Sequence, residues 1–272
     1  MKKTKIDDEL FQDCKHIEKI AIPPNITSIG NNSFQNCTSI TSVSIPSSIK
    51  TIGECAFSYC SSLKRISIPS SVTTIGNYCF NQCYSLTKVS IAYSITMLSI
   101  HIFYLCKTLK KISIPSSVTK IKKSAFFGCS SLENVYITSS VNSIGKCSFC
   151  NCYKLKTISI PPSLTTIKFC SFEFCSSLNH ITVPLSVKSI ESNAFKLCRS
   201  LTEIEIPSSV KKIGENAFFY CSSLEKIKIF AHDITIGRNA FHHCHSLDQI
   251  TIHSTLNDQF KEFKRYAKIV NF

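Results

Sequence analysis

The chain has 272 residues, 43% of them hydrophobic, with 31 Lys and Arg against 17 Asp and Glu for a net charge of +14. That apolar content excludes a disordered polyelectrolyte, and no apolar run approaches the ~18 residues of a membrane span. Seven Gly and nine Pro exclude collagen-like and low-complexity chains.

The first thirty residues start with lysines but carry acids before any sustained apolar stretch, so they do not read as a secretory leader. A strict period then takes over. Eleven of the sixteen Cys fall at Cys14, Cys37, Cys60, Cys83, Cys106, Cys129, Cys152, Cys175, Cys198, Cys221 and Cys244, every step being 23 residues. A Phe stands three residues before each, from Phe11 to Phe241, so the period is a structural unit.

Within a unit, Leu or Ile comes three after Cys, Ile or Val six after, and Ile eight after, with Val183 the one exception. This L-x-x-I-x-I alternation of β-branched residues predicts one short strand per turn, stopped by Pro at the next position, as at Pro46, Pro69, Pro115 and Pro207. A Ser-Ser pair and a second apolar group follow (Val72 and Ile75, Val118 and Ile121). Gly30, Gly53, Gly76, Gly145, Gly214 and Gly237 come next, where a positive φ is expected. Small residues such as Ala125, Ala194 and Ala217 then predict a tight helical bend, with Phe filling the middle of the coil.

One unit points about eight side chains inward, each worth roughly 1.5–3 kcal/mol, against about 1.5 kcal/mol of ordering entropy per residue. A single unit cannot fold alone, so stacking into a one-dimensional solenoid with a parallel strand per turn is predicted. The turn IAYSITMLSIHIFYLC replaces Pro with Ala92, Gly with Ser99 and Ala with Ile102, which predicts a local distortion. In the last turn Phe230 and Asp233 replace Pro and Val. The organisation expected is a solenoid over residues 1–252 and a capping helix over 253–272, because Phe260, Phe263, Ala267 and Val270 recur at helical spacing.

The unit C-x-x-L-x-x-I-x-I-P-S-S-V-x-x-I-G-x-x-A-F, nearly unchanged in residues 60–80 and 106–126, resembles the BspA-like leucine-rich repeat family over about residues 6–252. The resemblance implies an α/β, strand-rich leucine-rich-repeat horseshoe, with strands on one face and short turns or helical bends on the other. It further implies a surface antigen or adhesin of the kind found in mucosal bacteria and parasitic protists, binding host matrix or serum proteins. No fixed binding motif transfers residue by residue.

The ladder Cys read as buried thiols behaving as small hydrophobes, since stacked parallel Cβ vectors approach poorly for disulfides. Cys147-x-x-Cys150-x-Cys152 hints at zinc but lacks a second spaced pair, and His242, His243 and His245 read as solvated surface, so no metal is expected. No G-x-S-x-G, Walker or paired-carboxylate motif is present, and the Ser-Ser pairs recur as turn residues, so neither catalysis nor a cofactor is expected.

Binding is better supported, because outward strand positions are free of the core. Lys19, Arg65, Lys88 and Lys111 recur five after the ladder Cys, with Lys64, Lys110 and Lys156 beside them. The binding face expected is Lys64, Arg65, Lys88, Lys110, Lys111, Tyr136 and His180. A basic stripe attracts acidic partners. Interleaved aromatics for base stacking are scarce, which disfavours nucleic acid. A protein partner is expected, either a host matrix or serum protein at the cell surface, as the resemblance implies, or a cytosolic protein. The second placement makes the chain an intracellular scaffold, in keeping with many reduced Cys and no leader.

Overall fold

Alternation sends every second side chain of L-x-x-I-x-I inward, and the chain answers with strands of two to four residues, among them Arg65–Ser67, Lys111–Ser113 and Glu203–Ile206. The computed structural model describes residues 3–265 and 267–272, with the backbone alone at Arg265. Strands pair in parallel with those 23 residues on in runs of three or four, so Arg65 faces Lys88 and Ile66 faces Val89. The inward residues therefore stack on their own kind, as Ile204 does on Ile227 and Ile206 on Ile229. A second parallel column is formed by the V-x-x-I segments, including Thr51–Ile52, Lys120–Ile121 and Ser189–Ile190.

The A-F-x-x-C segment makes a third wall. Its backbone bonds forward to the next rung, with the Cys55, Phe57 and Tyr59 N–H groups donating to the Asn77, Cys79 and Asn81 carbonyls at 2.8–2.9 Å. The result is a parallel β-solenoid of about twelve turns in which helices are almost absent, so the α/β classification is not borne out. The expected helical bends are instead turns whose three-residue bonds, such as Ser58 N–H to Cys55 O at 3.0 Å, are interrupted by left-handed residues.

Those left-handed residues recur four apart in every turn, as at Cys55 and Tyr59, with φ of 51° and 60°. Asn or Asp fills many of these places (Asp13, Asn32, Asn36, Asn193, Asn216), as residues that tolerate positive φ should. The periodic glycines are not among them, correcting the expectation above; Gly128 is the positive-φ glycine, at 70°. The periodic glycines serve close approach. A Cβ on Gly53 would lie 2.6 Å from the Asn31 nitrogen on the preceding rung, nearer than non-bonded atoms sit.

Inside, the Phe form one column from Phe11 to Phe241, with successive ring centroids 5.1–5.8 Å apart and planes within 19° of parallel. Such stacking adds roughly 0.5–1.5 kcal/mol per pair beyond burial. Beside it the ladder thiols do more than fill space. From Cys37 to Cys244, each Sγ donates to the carbonyl of the Phe 26 residues earlier at 2.9–3.4 Å. The turn after the strand also ties rungs together: Ser117, Ser163 and Ser209 donate to the Ile95, Val141 and Val187 carbonyls at 2.7–2.9 Å.

Strand pairing lapses on both columns at the irregular turn, between Lys88–Ser90 and Lys111–Ser113 and between Thr74–Ile75 and Met97–Leu98. This is where Ala92, Ser99 and Ile102 break the pattern. At the C-terminus the expected capping helix is replaced by 3-10 segments at Ser254–Leu256 and Lys261–Arg265 and a strand at Lys268–Asn271. That strand pairs in parallel with Gln249–Ile252, covering an edge that would otherwise present unpaired N–H and C=O groups. Phe260, Phe263 and Ala267 are buried, a spacing of three being met by a 3-10 turn as well as by an α-helix.

Candidate functional site

The outward positions of the L-x-x-I-x-I strands carry no packing duty, and there the rungs differ from one another. Lys64, Arg65, Lys88, Lys110 and Lys111 are all exposed on this face. Arg65 and Lys88 are register partners, so two cations sit side by side at about the 4.8 Å strand spacing. Among the described residues none of these five cations is in an ion pair. Like charges so close repel, and adjacent positions of the sheet are destabilised by them. One lapse in pairing falls within the stripe, between Lys88 and Lys111, and another lies past His180, before Glu203–Ile206.

Beyond Lys111 the face changes. Ser113 pairs with Tyr136, whose ring is 62% exposed, and Thr157 bridges to His180, whose Nε2 lies 3.2 Å from Thr182 Oγ1. His180 opens onto a groove of about 410 Å³ that also involves Leu185, Glu203, Glu205 and Phe230. Past it the charges neutralise each other: Glu203 faces Lys226, Glu205 faces Lys228, and Lys228 Nζ is 2.6 Å from Glu205 Oε1. That carboxylate raises the Lys228 pKa above its ordinary value, by hydrogen bonding first and charge second.

The seven residues expected at a binding face therefore fall into two groups. Lys64, Arg65, Lys88, Lys110 and Lys111 form one stripe, Tyr136 stands at its end, and His180 belongs to the groove. Three exposed apolar side chains were not anticipated: Tyr93 at 75%, Leu185 at 74% and Phe230 at 41% exposure. Each stands where the repeat has Pro or Ser just after the strand, so departure from the pattern was the signal. Cations also occur on the V-x-x-I column, where Lys120, Lys188 and Lys212 are exposed.

Among the described residues no group of three or more His, Cys, Asp or Glu is placed to hold a metal ion. His243 stacks on the Tyr220 ring at 4.4 Å, and Cys152 donates to the Phe126 carbonyl like the rest of its ladder. All sixteen Cys are free thiols. Burial raises the ladder thiols from Cys37 to Cys244 above their ordinary value, to about 12 at Cys129 and Cys244. Among the described residues no helix is long and apolar enough to cross a membrane.

A stack of 23-residue rungs with parallel strands, a Phe column and a free strand face defines a leucine-rich-repeat solenoid. The chain belongs to the BspA type leucine-rich repeat family, whose repeat region matches residues 4–133, 96–225 and 142–267 in six copies. It is similar to a leucine-rich cell surface protein of Faecalibacterium prausnitzii, with 30% identity and a TM-score of 0.63 over 98% of this chain and 83% of that one. A leucine-rich repeat protein of Bacteroides ovatus shares 28% identity with a TM-score of 0.56, over 99% and 87%. The pneumococcal vaccine antigen PcpA shares the fold, at 19% identity and a TM-score of 0.68 over 98% and 71%. No curated protein matches.

Proposed function

We propose that this chain is a non-enzymatic binding protein of the surface-antigen and adhesin type, presenting its strand face to an acidic surface of a protein partner. The observation that carries the reading is the stripe of five exposed, unpaired cations on neighbouring rungs, held together at a repulsive cost by a core that does not need them. Arg65 offers a planar fork for a carboxylate, and Lys64, Lys88, Lys110 and Lys111 add charge around it. Tyr136 supplies an amphipathic ring of the kind that anchors interfaces, and His180 opens a groove further along. Likeness to a bacterial cell surface protein supports the surface placement. The sixteen free thiols favour a second reading, a scaffold for a cytosolic partner, which uses the same face.

The test is charge reversal with a matched control. Arg65→Glu, Lys88→Glu and Lys111→Glu together should abolish binding to a panel of immobilised matrix and serum proteins, with the circular dichroism melt unchanged. Lys120→Glu, Lys188→Glu and Lys212→Glu change net charge equally on the other column and should leave binding within about twofold. Unchanged binding in the first triple variant sinks the strand-face reading, and equal loss in both reduces it to net charge. Antibody staining of intact against permeabilised cells separates adhesin from scaffold.

A further inference from the structure

Two rungs carry a bulky residue in the slot that holds Ser116 and Ser208 elsewhere, Tyr93 on one and Leu185 on the other. Both lapses in pairing on the strand face fall between one of these rungs and the next. At the second, no backbone hydrogen bond joins residues 179–183 to 202–206 among the described residues. One period on, the Glu225 and Lys226 N–H groups donate to the Thr202 carbonyl at 2.8 and 3.2 Å, whereas the equivalent Thr202 and Glu203 N–H groups make no bond to the Asn179 carbonyl. Ile68 N–H likewise donates to the Ser90 carbonyl at 2.9 Å, and the equivalent Val183 N–H makes no bond to Glu205. The opening is confined to this face. Across the same two rungs Phe172 N–H donates to the Ala194 carbonyl at 2.9 Å, and Ser189 pairs with Lys212.

The two open edges wall the groove of about 410 Å³, with His180 and Leu185 on one rung and Glu203 and Glu205 on the next. Its rim is apolar at Leu185 and Phe230, both exposed, and no Lys or Arg lines it. Glu205 is paired with Lys228, whereas Glu203 is in no ion pair among the described residues. We propose that this groove binds an extended peptide segment of a partner protein, basic and apolar in alternation, whose main chain meets the unpaired strand edges.

Three features choose this occupant. Free N–H and C=O groups repeated along a strand edge are matched by another extended main chain, which presents its own at the same spacing. Leu185 and Phe230 offer apolar contact to the side chains that such a chain turns toward them. The carboxylates of Glu203 and Glu205, with no cation lining the groove, complement basic side chains. That preference runs against the field of a chain whose net charge is +14, which draws in acidic ligands everywhere else. The first lapse is bordered by Lys88, Lys110 and Lys111 and repels the same peptide, so the assignment is independent of what the stripe binds.

The probe is a fluorescently labelled heptapeptide alternating valine and lysine, titrated with the full chain at about 0.15 M salt and read by anisotropy. Two relatives accompany it, one with glutamine for lysine and one with the same side chains but alternate main-chain amides N-methylated. The lysine peptide should saturate, and each relative should bind roughly tenfold more weakly or worse. Leu185→Ser, which restores the residue of the equivalent slot, and Glu203→Gln should each weaken the lysine peptide about tenfold with the circular dichroism melt unchanged. Tyr93→Ser, the same slot at the first lapse, should leave it within about twofold. The triple reversal of Arg65, Lys88 and Lys111 should not weaken it, so this assignment and the strand-face reading fail separately. No saturation by the lysine peptide, equal affinity for the N-methylated one, or unchanged affinity in Leu185→Ser overturns the proposal. The first two readouts come from the unaltered chain, so a variant that misfolds does not protect it.

Discussion

Arg65 and Lys88 stack in register with no acid between them, whereas further along the same face Glu203 faces Lys226, and Glu205 faces Lys228 in an ion pair. Beneath both regions the interior is the same. Cys106 donates to the Phe80 carbonyl at 3.3 Å and Cys221 to the Phe195 carbonyl at 3.2 Å, and the Phe column passes under both without a change of tilt beyond 19°. The outer face is therefore chosen independently of the core. One stretch of it forgoes charge balance that another stretch achieves with the same backbone, so the imbalance is not a demand of the fold.

If the interior is shared, a stress applied to the core should strike both regions together, and alkali is the strongest such stress. Burial raises Cys83 and Cys106 under the stripe, and Cys198 and Cys221 under the paired region, above the ordinary thiol value of 9.0. Above pH 9 the unfolded chain releases thiol protons that the folded chain retains. Stability is thus intact below pH 9 and is lost as pH rises toward the folded values, at about 1.4 kcal/mol per pH unit for each thiol. Cys147, lowered to about 7, acts oppositely between pH 7 and 9, but it is one group against many. Circular dichroism under reductant from pH 7.5 upward should show one cooperative loss. Two separated transitions would mean that the two regions do not share a core.

Much of this interior is legible in the period alone. Ten identical steps of 23 residues place Phe and Cys in columns, and the alternation around Ile66 and Ile112 marks the strands. The glycines mislead because the same residue serves positive φ and close approach, and only the rung below Gly53 tells which. Asp13, Asn32, Asn36 and Asn193 were the readable sign of left-handed turns. The C-terminal stripe misleads because Phe260 and Phe263 are three apart, a spacing common to α and 3-10 turns. On the face, exposure of Arg65 and Lys88 follows from strand alternation, but Leu185, Phe230 and Tyr93 required attention to what breaks the repeat.

A smaller and more local test compares single thiols. Cys106→Ala and Cys221→Ala each remove a buried sulfur and leave a Phe carbonyl with one bond fewer. Each should cost about 1–3 kcal/mol in denaturant unfolding. The two values should agree within about 0.5 kcal/mol, as for independent equivalent sites. A much larger loss at Cys106 would tie the stripe to its own stretch of core and undo the separation of inside from outside.

The smallest effect carries the sharpest sign. Lys228→Gln removes the partner of Glu205 on an exposed face, where ion pairs contribute little, so the thermal midpoint should fall slightly. Lys88→Gln removes the like-charged neighbour of Arg65, so the midpoint should hold or rise slightly, and the difference between the variants should shrink as salt screens both interactions. The same residue change on one strand face thus moves stability in opposite directions according to what stands on the neighbouring rung. A fall in both variants would show that Lys88 has a stabilising contact that its unpaired position conceals. The stripe would then be part of the fold, with no repulsive cost left for a binding role to explain.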